Sequence, residues 1–429
     1  MFAFGEIYAI IYAMSFYNGS DVKQPYKIWL LSNKTEYPSE GKDMNACING
    51  ELCLIGMKGC EKFTAEVDAW ISTWRRGPET ELPGYIVKTD CPRFGSGEAK
   101  GLIYSSLRGH DVYIIADMFN YGVTYKMYGM ETHMSPDDHF QDLKRIIGAI
   151  GGKAHRVSVI MPMLYEGRQD KRSARESLDC AIALSELVNM GVSNIITFDA
   201  HNPSVQNAIP LSGFENVHPK YQMIKALLRE FPDISLSPDD IMLVSPDEGA
   251  MSRCIYYSSV LGIDLGMFHK RRDFTRIVNG RNPILAHEYI GRDISGMNVI
   301  VVDDMISSGD SMIDVCRQLK EKGAANVYVF CTFGLFTNGL SEFDEAYSDG
   351  IFTKVFTTNL IYRTEELLSR PWYSEVNMCK YVASIVDTLN QDETISELLD
   401  PAAKIHAIVD KHNARLAEKS NQQMKIVHD

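Results

Sequence analysis

The chain has 429 residues, which is too long for one ordinary hydrophobic core, so we expect two or three domains. Its composition, with 45% hydrophobic and 23% charged residues, is typical of a soluble globular protein. A net charge of -13 argues against general affinity for nucleic acids or anionic membranes, but it leaves room for a local basic pocket that binds a phosphorylated small molecule.

The amino-terminal segment and the cysteines indicate where the protein works. Residues 1–50 begin with an apolar run, but this run contains Glu6, has no basic residues ahead of it and falls short of a bilayer span of about 20 residues. We therefore predict an N-terminal extension with no membrane segment and no role in the chemistry. The nine cysteines form no CxxC pair and no spacing typical of a zinc site or a disulfide framework, so we expect a reducing, cytoplasmic environment.

From about residue 50 the sequence alternates apolar, strand-like runs with helical patterns, which is typical of βαβ units and a parallel sheet. Residues 121–138 are predicted to form a surface loop. One βαβ unit follows, with strands at 157–163 and 195–198 on either side of a helix at 173–190. Gly191 is predicted to close this helix.

Two further units follow in the second part of the chain. One has strands at 241–246 and 265–268 around a helix at 251–261, and the other has a strand at 300–302, a helix at 311–322 and a strand at 327–333. The units fall into two similar halves, so we predict an α/β fold with two domains, each a mainly parallel sheet flanked by helices. The predicted divisions are an extension at 1–50, domains at 51–220 and 221–400, and a polar C-terminal helix or tail at 401–429.

The strand at 300–302 leads directly into Asp303 and Asp304, and then into the small and hydroxyl-bearing residues 307–311. A loop of this composition ahead of a helix offers N–H groups and hydroxyls at a positive helix end, which suits a phosphate. The two carboxylates repel phosphate, but they can hold ribose hydroxyls or reach Mg²⁺ that the phosphates share. An ordinary helix cap beside two solvated acids is the alternative, and the combination of strand, acids and loop favours phosphosugar binding.

This arrangement resembles the phosphoribosyl-pyrophosphate loop of type I phosphoribosyltransferase folds. Further motifs make residues 52–390 similar to the ribose-phosphate pyrophosphokinase, or phosphoribosyl-pyrophosphate synthetase, family. The resemblance implies two phosphoribosyltransferase-like domains. It also implies that ribose 5-phosphate is bound by the residues Asp303, Asp304, Ser307, Ser308, Gly309, Asp310 and Ser311.

The family pattern of this loop is usually Asp-Thr-Gly-Gly-Thr; Ser308 and Ser311 keep the hydroxyls of its threonines, whereas two other residues change its chemistry. Ser307 replaces the first aspartate, and Asp310 replaces a glycine. A carboxylate about 4 Å from a phosphate costs on the order of several kcal/mol at an effective dielectric constant near 20. We therefore expect the Asp310 side chain to point into solvent or to pair with a base such as Arg317 or Arg281.

Two motifs resemble the family's ATP-contacting segments. The stretch "RFGSGE" is similar to the adenine-contacting segment, with serine in place of the family's aspartate, and "YEGRQDKR" is similar to a phosphate-contacting segment after a strand. The basic run could instead be a solvated face, but its place after an apolar strand of an acidic protein favours the functional interpretation. The resemblance implies that ATP is bound by Phe94, Ser96, Gly97, Glu98, Arg168 and Gln169.

Three other segments resemble the family's metal and catalytic motifs. The resemblance implies that His201, in "TFDAH", is one metal ligand. It implies that Asp247, in "VSPDEGA", is the second metal ligand, and Ala250 in this segment stands in place of a family glycine. In "FHKRR" it makes Lys270 and Arg272 catalytic, and Arg272 also contacts the sugar phosphate. Three adjacent cations repel one another unless anions lie nearby, which is expected where a triphosphate binds.

The resemblance implies an enzyme that transfers pyrophosphate from ATP to the C1 hydroxyl of ribose 5-phosphate, with Mg²⁺ as cofactor. It also implies a homo-oligomer, with a hexamer built from dimers as one arrangement. Two alternatives stay open. A phosphoribosyltransferase needs the sugar-phosphate loop but not the ATP motifs, and a non-catalytic regulatory subunit is favoured by Ser96, Ser307 and Asp310 but disfavoured by the retained catalytic and metal residues.

Overall fold

Aliphatic runs form the central strands of this protein. Leu52–Gly56 and Ile241–Ser245 are almost wholly buried, as expected for parallel strands with helices on both faces. A computed structural model describes the backbone of residues 50–77, 83–272 and 284–428, and the side chains of these residues except 270–272, 284–287 and 423–428. The predicted N-terminal extension lies outside the described residues, apart from Gly50.

The first half of the described chain runs to the end of a helix at Glu230. Its strands are β1 (Leu52–Gly56), β2 (Thr89–Asp90), β3 (Leu102–Ile103), β4 (Asp111–Ile115), β5 (Thr124–Met127), β6 (Met130–His133), β7 (Arg156–Ile160), β8 (Asn194–Phe198) and β9 (Gly213–Val217). Its helices are α1 (Glu61–Arg76), α2 (Pro136–Ile150), α3 (Asp179–Asn189) and α4 (Lys220–Glu230).

The second half begins with a strand at Ile241. Its strands are β10 (Ile241–Ser245), β11 (Leu265–Arg272), β12 (Ile284–Ile290), β13 (Asn298–Ile306), β14 (Asn326–Gly334), β15 (Lys354–Thr358) and β16 (Tyr373–Val376). Its helices are α5 (Met251–Leu261), α6 (Asp310–Glu321), α7 (Ser341–Ser348), α8 (Glu365–Leu368), α9 (Cys379–Asn390), α10 (Ser396–Leu399) and α11 (Ala402–His428).

Each half contains one large sheet. The first has the strand order β1-β4-β7-β8-β9, with all neighbours parallel. The second has the order β12-β11-β10-β13-β14-β15-β16, in which β12 is antiparallel to β11 and the other neighbours are parallel. The predicted fold class, two α/β domains with mainly parallel sheets, is confirmed.

The order of the second sheet creates a switch point. After β10 the chain adds β11 and β12 on one side, and then crosses to the other side to add β13. The carboxyl ends of β10 and β13 therefore border the position where the strand order reverses. Open parallel sheets bind their ligands at such positions.

One hydrophobic cluster spans both halves. It contains Leu54 and Ile71 from the first half and Leu243, Phe330 and Val382 from the second, each at most 1% exposed. Helices α1 and α9 also pack against each other. The predicted domain boundary near residue 220 stays a prediction, because residues Cys47–Asp429 form a single compact unit.

Buried polar contacts also join the halves. The Arg156 guanidinium donates to the two carboxylate oxygens of Asp111 at 2.8 and 2.6 Å, and to the Leu389 carbonyl at 2.8 Å. The Asn390 amide donates to the same Asp111 carboxylate at 2.9 Å. Because Asp111 is fully buried, these donors are needed to stabilise its charge.

The C-terminal segment is a single helix, α11, that continues to His428. It packs against both α4 and α5, with Ile405 fully buried in the shared cluster. Among the described helices, none has the length and apolar character that crossing a bilayer requires.

The prediction of a surface loop at 121–138 is wrong, because this segment contains the hairpin β5–β6 and the start of α2. The turn residues Tyr128 and Gly129 both have positive φ angles, 51° and 80°, as in a two-residue type I′ turn. The usual signal for this turn is Asn-Gly or Asp-Gly, whereas positions 128 and 129 are tyrosine and glycine.

The helix predicted at 173–190 begins later, at Asp179. Ahead of it, the Ser173 backbone N–H donates to Glu176 at 3.1 Å, and the Ser177 hydroxyl donates to Asp179 at 2.5 Å. Short polar side chains that bond locally compete with helix formation, which explains the late start. Gly191 follows the helix with a φ of 91°, as predicted.

Candidate active site

The segments that follow β7, β8, β10 and β13 meet at one crevice of about 350 Å³. It lies at the switch point of the second sheet and also receives residues from the first half. Among the residues predicted from sequence, the structure places nine in its lining: Arg168, His201, Asp247, Asp303, Asp304, Ser307, Ser308, Gly309 and Ser311. Gln169 and Asp310 belong to the same loops but do not line the crevice.

The loop between β13 and α6 turns at Gly309. This glycine has a φ of 106°, and a Cβ atom there would lie 2.2 Å from the Phe343 ring. A glycine is therefore required both by the backbone conformation and by close packing. The turn brings Ser307, Ser308 and Ser311 to the crevice at the N-terminus of α6, where a positive helix end favours an anion.

Asp310 is exposed, and its carboxylate accepts a hydrogen bond from the Ser308 hydroxyl at 3.1 Å. A hydrogen bond that the protonated Glu342 carboxyl donates to Asp310, together with the charge of Asp310, raises the pKa of Glu342, so these two carboxyl groups lie close together. The predicted orientation toward solvent is thus present, and among the described residues Glu342, rather than Arg317, is the charged neighbour of Asp310. Arg281 lies outside the described residues.

Asp303 and Asp304, at the end of β13, have different surroundings. Asp304 is only 3% exposed, and Asp303 is partly exposed. Burial, together with the charges of Asp304 and Asp247, raises the pKa of Asp303 well above its usual value. A bound cation would reverse this effect, because a positive charge favours the ionised carboxylates.

His201 is joined to Asp304. Its Nδ1 atom donates to Asp304 Oδ2 at 2.6 Å, and its side chain is 48% exposed in the crevice. The hydrogen bond to Asp304 outweighs the effect of burial and raises the pKa of His201 above its usual value. The histidine of the first half is therefore held by the carboxylate at the end of β13.

A buried ion network lies behind this pair and was not predicted from sequence. Asp199 has a φ of 42°, and it accepts from Arg253 at 2.7 Å, from the Thr332 hydroxyl at 2.7 Å and from His218 at 3.2 Å. Burial opposes ionisation of Asp199, but the hydrogen bond from His218 and the charge of Arg253 outweigh it and lower the pKa. The only sequence signal for Arg253 was its position in the first turn of the helix after β10.

Asp247 is positioned by its own loop. Its Oδ1 atom accepts from the backbone N–H groups of Gly249 and Ala250 at 2.9 and 3.2 Å. The next residue, Glu248, accepts from His269 Nδ1 at 2.6 Å, which ties this loop to β11. The contact between Glu248 and His269 was also not predicted.

The side chains of His201 and Asp247 fit a Mg²⁺ ion that is bound together with a substrate. Where side chains are described, no group of three or more His, Cys, Asp or Glu residues is placed to hold an ion without other ligands. Mg²⁺ usually takes one or two protein ligands and completes its shell with substrate phosphates and water. An imidazole and a carboxylate on one open crevice, His201 and Asp247, match that pattern.

The predicted ATP residues lie in two places. Arg168 lines the crevice, while the Gln169 side-chain amide donates to the Ser177 carbonyl at 2.8 Å. Residues 93–98 form a separate turn, in which the Ser96 hydroxyl donates to Glu98 at 2.8 Å and Gly97 has a φ of 96°. Phe94 is 55% exposed, and neither it nor Ser96, Gly97 or Glu98 lines the crevice.

The predicted catalytic residues Lys270 and Arg272 lie at the end of β11. This strand is a direct neighbour of β10, which leads to Asp247. Their side chains lie outside the described residues, so their catalytic role stays a prediction.

Comparisons with known proteins identify the family. Sequence models of the "N-terminal domain of ribose phosphate pyrophosphokinase" and of the "Phosphoribosyl synthetase-associated domain" match residues 56–191 and 270–400. Ribose-phosphate pyrophosphokinase A of Dictyostelium discoideum is 26% identical over 72% of this chain and 89% of its own length. The Staphylococcus aureus ribose-phosphate pyrophosphokinase is 25% identical over 82% of this chain and 98% of its own length.

A solved structure supports the same fold. The crystal structure of phosphoribosylpyrophosphate synthetase from Mycobacterium smegmatis has a TM-score of 0.64 and 19% identity, and the match covers 80% of this chain and 99% of that one. At this identity the similarity is one of fold. Together with the sequence matches along both halves, it leads to one conclusion: the chain belongs to the ribose-phosphate pyrophosphokinase family.

Proposed function

We propose that this enzyme uses the crevice at the switch point to transfer the β,γ-pyrophosphoryl group of ATP to the C1 hydroxyl of ribose 5-phosphate. The observation that carries the proposal is that one cavity contains the hydroxyl-bearing loop after β13, Arg168, His201 and Asp247. The C1 oxygen attacks the β-phosphorus, the bond from that phosphorus to the oxygen of AMP breaks, and AMP leaves. The hydroxyl proton passes to solvent.

The loop after β13 is proposed to hold the sugar phosphate. The hydroxyls of Ser308 and Ser311 and the amides at the N-terminus of α6 are suited to the 5-phosphate, because they offer several donors at a positive helix end. The partly exposed Asp303 is suited to accept hydrogen bonds from ribose hydroxyls. Phosphate binding requires that Ser308 turn from Asp310 toward the ligand.

Arg168 is proposed to bind ATP phosphate oxygens, since a guanidinium offers two parallel donors. The turn that carries Phe94, Ser96 and Glu98 does not line the crevice of its own chain. This supports a homo-oligomer in which the turn meets the adenine of a neighbouring copy, with a hexamer built from dimers as the proposed assembly. The proposed cytoplasmic location rests on the sequence alone.

His201 and Asp247 are proposed to hold Mg²⁺ with the ATP phosphates. The ion, when bound, supplies charge neutralisation to the transferring group. The chain itself contributes the orientation of these ligands, through the hydrogen bond from His201 to Asp304 and the backbone N–H groups that fix Asp247. Lys270 and Arg272 are proposed to bind the transferring group as its charge develops.

The direct test is the formation of AMP from ATP and ribose 5-phosphate by the purified protein with Mg²⁺. We expect AMP and the diphosphorylated sugar in equal amounts, with no AMP when ribose 5-phosphate is omitted. Production of ADP, or consumption of the activated sugar with a free base, would contradict the proposal. Complete inactivity of the folded protein would instead favour the non-catalytic subunit.

Lys270→Ala tests the catalytic assignment. We expect turnover to fall by about two to four orders of magnitude, because one preorganised donor to a developing charge contributes at least about 3 kcal/mol. ATP binding, measured by calorimetry, should change little. Lys404→Ala, a change on the exposed side of α11, provides the control. Near-normal turnover of the Lys270→Ala enzyme would refute the assignment.

A further inference from the structure

We propose that Asp304 is a positioning residue for the nucleotide and metal subsite, and that Asp303 alone of the two adjacent carboxylates binds the sugar. This inference rests on the proposed function and deepens it, because it assigns different ligands to two neighbouring residues of one motif: the sugar to Asp303, and the nucleotide with its metal ion, through His201, to Asp304. It also means that binding of ATP and Mg²⁺ depends on Asp304, a residue of the strand β13 that leads to the proposed sugar-phosphate loop.

The first argument is that protein donors use both oxygens of Asp304. Oδ1 accepts from the Met305 backbone N–H at 2.9 Å, and Oδ2 accepts from His201 at 2.6 Å. The residue is 3% exposed, so a ribose hydroxyl has little access to it. Asp303 is partly exposed and lines the same crevice.

The second argument concerns the tautomer of His201. An ionised carboxylate only accepts hydrogen bonds, so the bond to Asp304 places the proton on Nδ1. The lone pair of the neutral ring is then on Nε2, which is the form that binds a metal ion. A carboxylate behind a ligating histidine fixes both the tautomer and the ring orientation, and its loss typically lowers metal affinity or activity by about 10- to 100-fold.

The third argument is that the fold holds the Asp304 carboxyl group in place. Arg253 Nη2 lies 3.5 Å from Asp304 Oδ2, and the same guanidinium donates to Asp199 at 2.7 Å through Nε. Asp199 is held in turn by the Thr332 hydroxyl at 2.7 Å. A buried carboxylate between an arginine and a histidine is placed to orient its partners, since movement would leave buried charges unpaired.

Asp303→Asn and Asp304→Asn form a matched pair for the test, because each replaces one carboxyl group by an amide at the same strand end with little change in volume. Calorimetry with the α,β-methylene analogue of ATP and Mg²⁺, and separately with ribose 5-phosphate, measures the two subsites without turnover. We expect Asp304→Asn to weaken binding of the Mg²⁺-analogue complex by about 10- to 100-fold and to change the affinity for ribose 5-phosphate by less than about threefold. Asp303→Asn should give the reverse pattern.

A double-mutant cycle with His201→Ala tests the coupling. If Asp304 acts through His201, then Asp304→Asn should add little to the loss of Mg²⁺-analogue binding that His201→Ala causes. Fully additive losses, or a loss of ribose 5-phosphate affinity in Asp304→Asn that matches the loss in Asp303→Asn, would overturn the proposal. His201 is half exposed, so the His201→Ala chain keeps its buried packing.

Spectroscopy gives a readout that a general loss of stability would not mimic. The ¹⁵N shifts of the His201 ring report its tautomer, and we expect Nδ1–H in the native protein and a mixed population in Asp304→Asn. An unchanged tautomer in a folded Asp304→Asn variant would overturn the proposal. If the native protein makes no AMP, the proposed function fails, whereas the calorimetry and the ring shifts still decide the role of Asp304.

Discussion

At the scale of single residues, Gly309 has a restricted environment in the loop between β13 and α6. Its φ of 106° disfavours any side chain, and the Phe343 ring occupies the position of a Cβ atom. Phe343 is 1% exposed and stacks on Trp372 with ring centroids 5.3 Å apart, so it has little room to move. The loop conformation and the packing below it are therefore linked.

We predict that Gly309→Ala lowers the free energy of unfolding by about 2 to 4 kcal/mol, the sum of left-handed strain and overpacking. Urea denaturation measures this change, and the affinity for ribose 5-phosphate should fall as well. Gly296→Ala is the matched control, because Gly296 also has a positive φ, 76°, but has nothing within 4 Å of its Cβ position. Equal effects of the two changes would show that Phe343 does not restrict the loop.

The residues of the site differ in how far the sequence predicts them. His201, Asp247 and the serines of the loop lie in short motifs after strands, so a local pattern was sufficient to place them on one crevice. The hydrogen bond from His201 to Asp304 joins residues 103 positions apart, and no local pattern indicates it. Arg253 was missed for the same reason, since its partners lie on other strands.

At the scale of elements, the hairpin β5–β6 shows how an unusual turn hides a regular structure. Tyr128 has a φ of 51° although it is neither glycine nor asparagine, and its side chain is 77% exposed. Its backbone N–H donates to the Gly95 carbonyl at 2.8 Å, so the hairpin supports the turn that carries Phe94. A tyrosine in the left-handed region is uncommon, which explains why the sequence favoured a loop.

We predict that Tyr128→Asn stabilises the protein by about 0.5 to 1 kcal/mol, because asparagine tolerates the left-handed conformation and is preferred in type I′ turns. The midpoint of urea denaturation should rise. Tyr128→Val should lower it, because a β-branched residue is strained at positive φ. A rise with valine, or a fall with asparagine, would be inconsistent with this turn.

At the scale of the whole molecule, Arg156 connects the two halves through Asp111 and Leu389. We predict that Arg156→Gln lowers the free energy of unfolding by about 3 to 5 kcal/mol, because it leaves the buried Asp111 carboxylate with too few donors. Chemical denaturation measures the change. Arg229→Gln is the control, because that arginine is 62% exposed and its pair with Glu230 is long, at 3.6 Å, so its loss should cost less than about 0.5 kcal/mol.

Asp117 is a second connection between the halves, and its contribution depends on pH. Its carboxylate accepts from the backbone N–H groups of Phe119 at 2.9 Å and Tyr362 at 2.7 Å. Burial nevertheless raises the pKa of Asp117 to about 6. The folded state therefore holds the proton more tightly than the unfolded state, so the associated stability is full below the unfolded pKa, near 4, and is lost as the pH rises through about 6.

We predict that between pH 4 and pH 8 the native protein loses about 2 to 3 kcal/mol more stability than Asp117→Asn, which has no proton to release. Denaturation curves across this range give the slope, and the slope is independent of any hydrogen bond that asparagine fails to make. Asp349→Asn, at an exposed aspartate, should follow the native protein. Parallel slopes for the native and Asp117→Asn proteins would exclude the elevated pKa.

The sequence predicted the two α/β halves of the molecule, but it did not predict the hydrophobic cluster that the halves share. Repeated βαβ patterns indicated two similar α/β halves, and both large sheets are present. The shared cluster of Leu54, Leu243 and Val382 was not indicated, because each of these residues is equally compatible with a separate core. Hydrophobic patterning identifies the buried face of an element but not the element that covers it.

The hydrogen bond between Asp199 and Thr332 spans 133 positions of the chain, so its two partners are translated at different times. A ribosome that adds about 5 to 20 residues per second needs about 7 to 27 seconds to proceed from the first residue to the second. Arg253 and Asp304 are themselves made only within that interval, so the nascent first half carries Asp199 and His201 for seconds before the residues that orient them are present. The growing polypeptide can therefore complete this buried network only after translation has passed β14, although Asp199 and His201 are made much earlier.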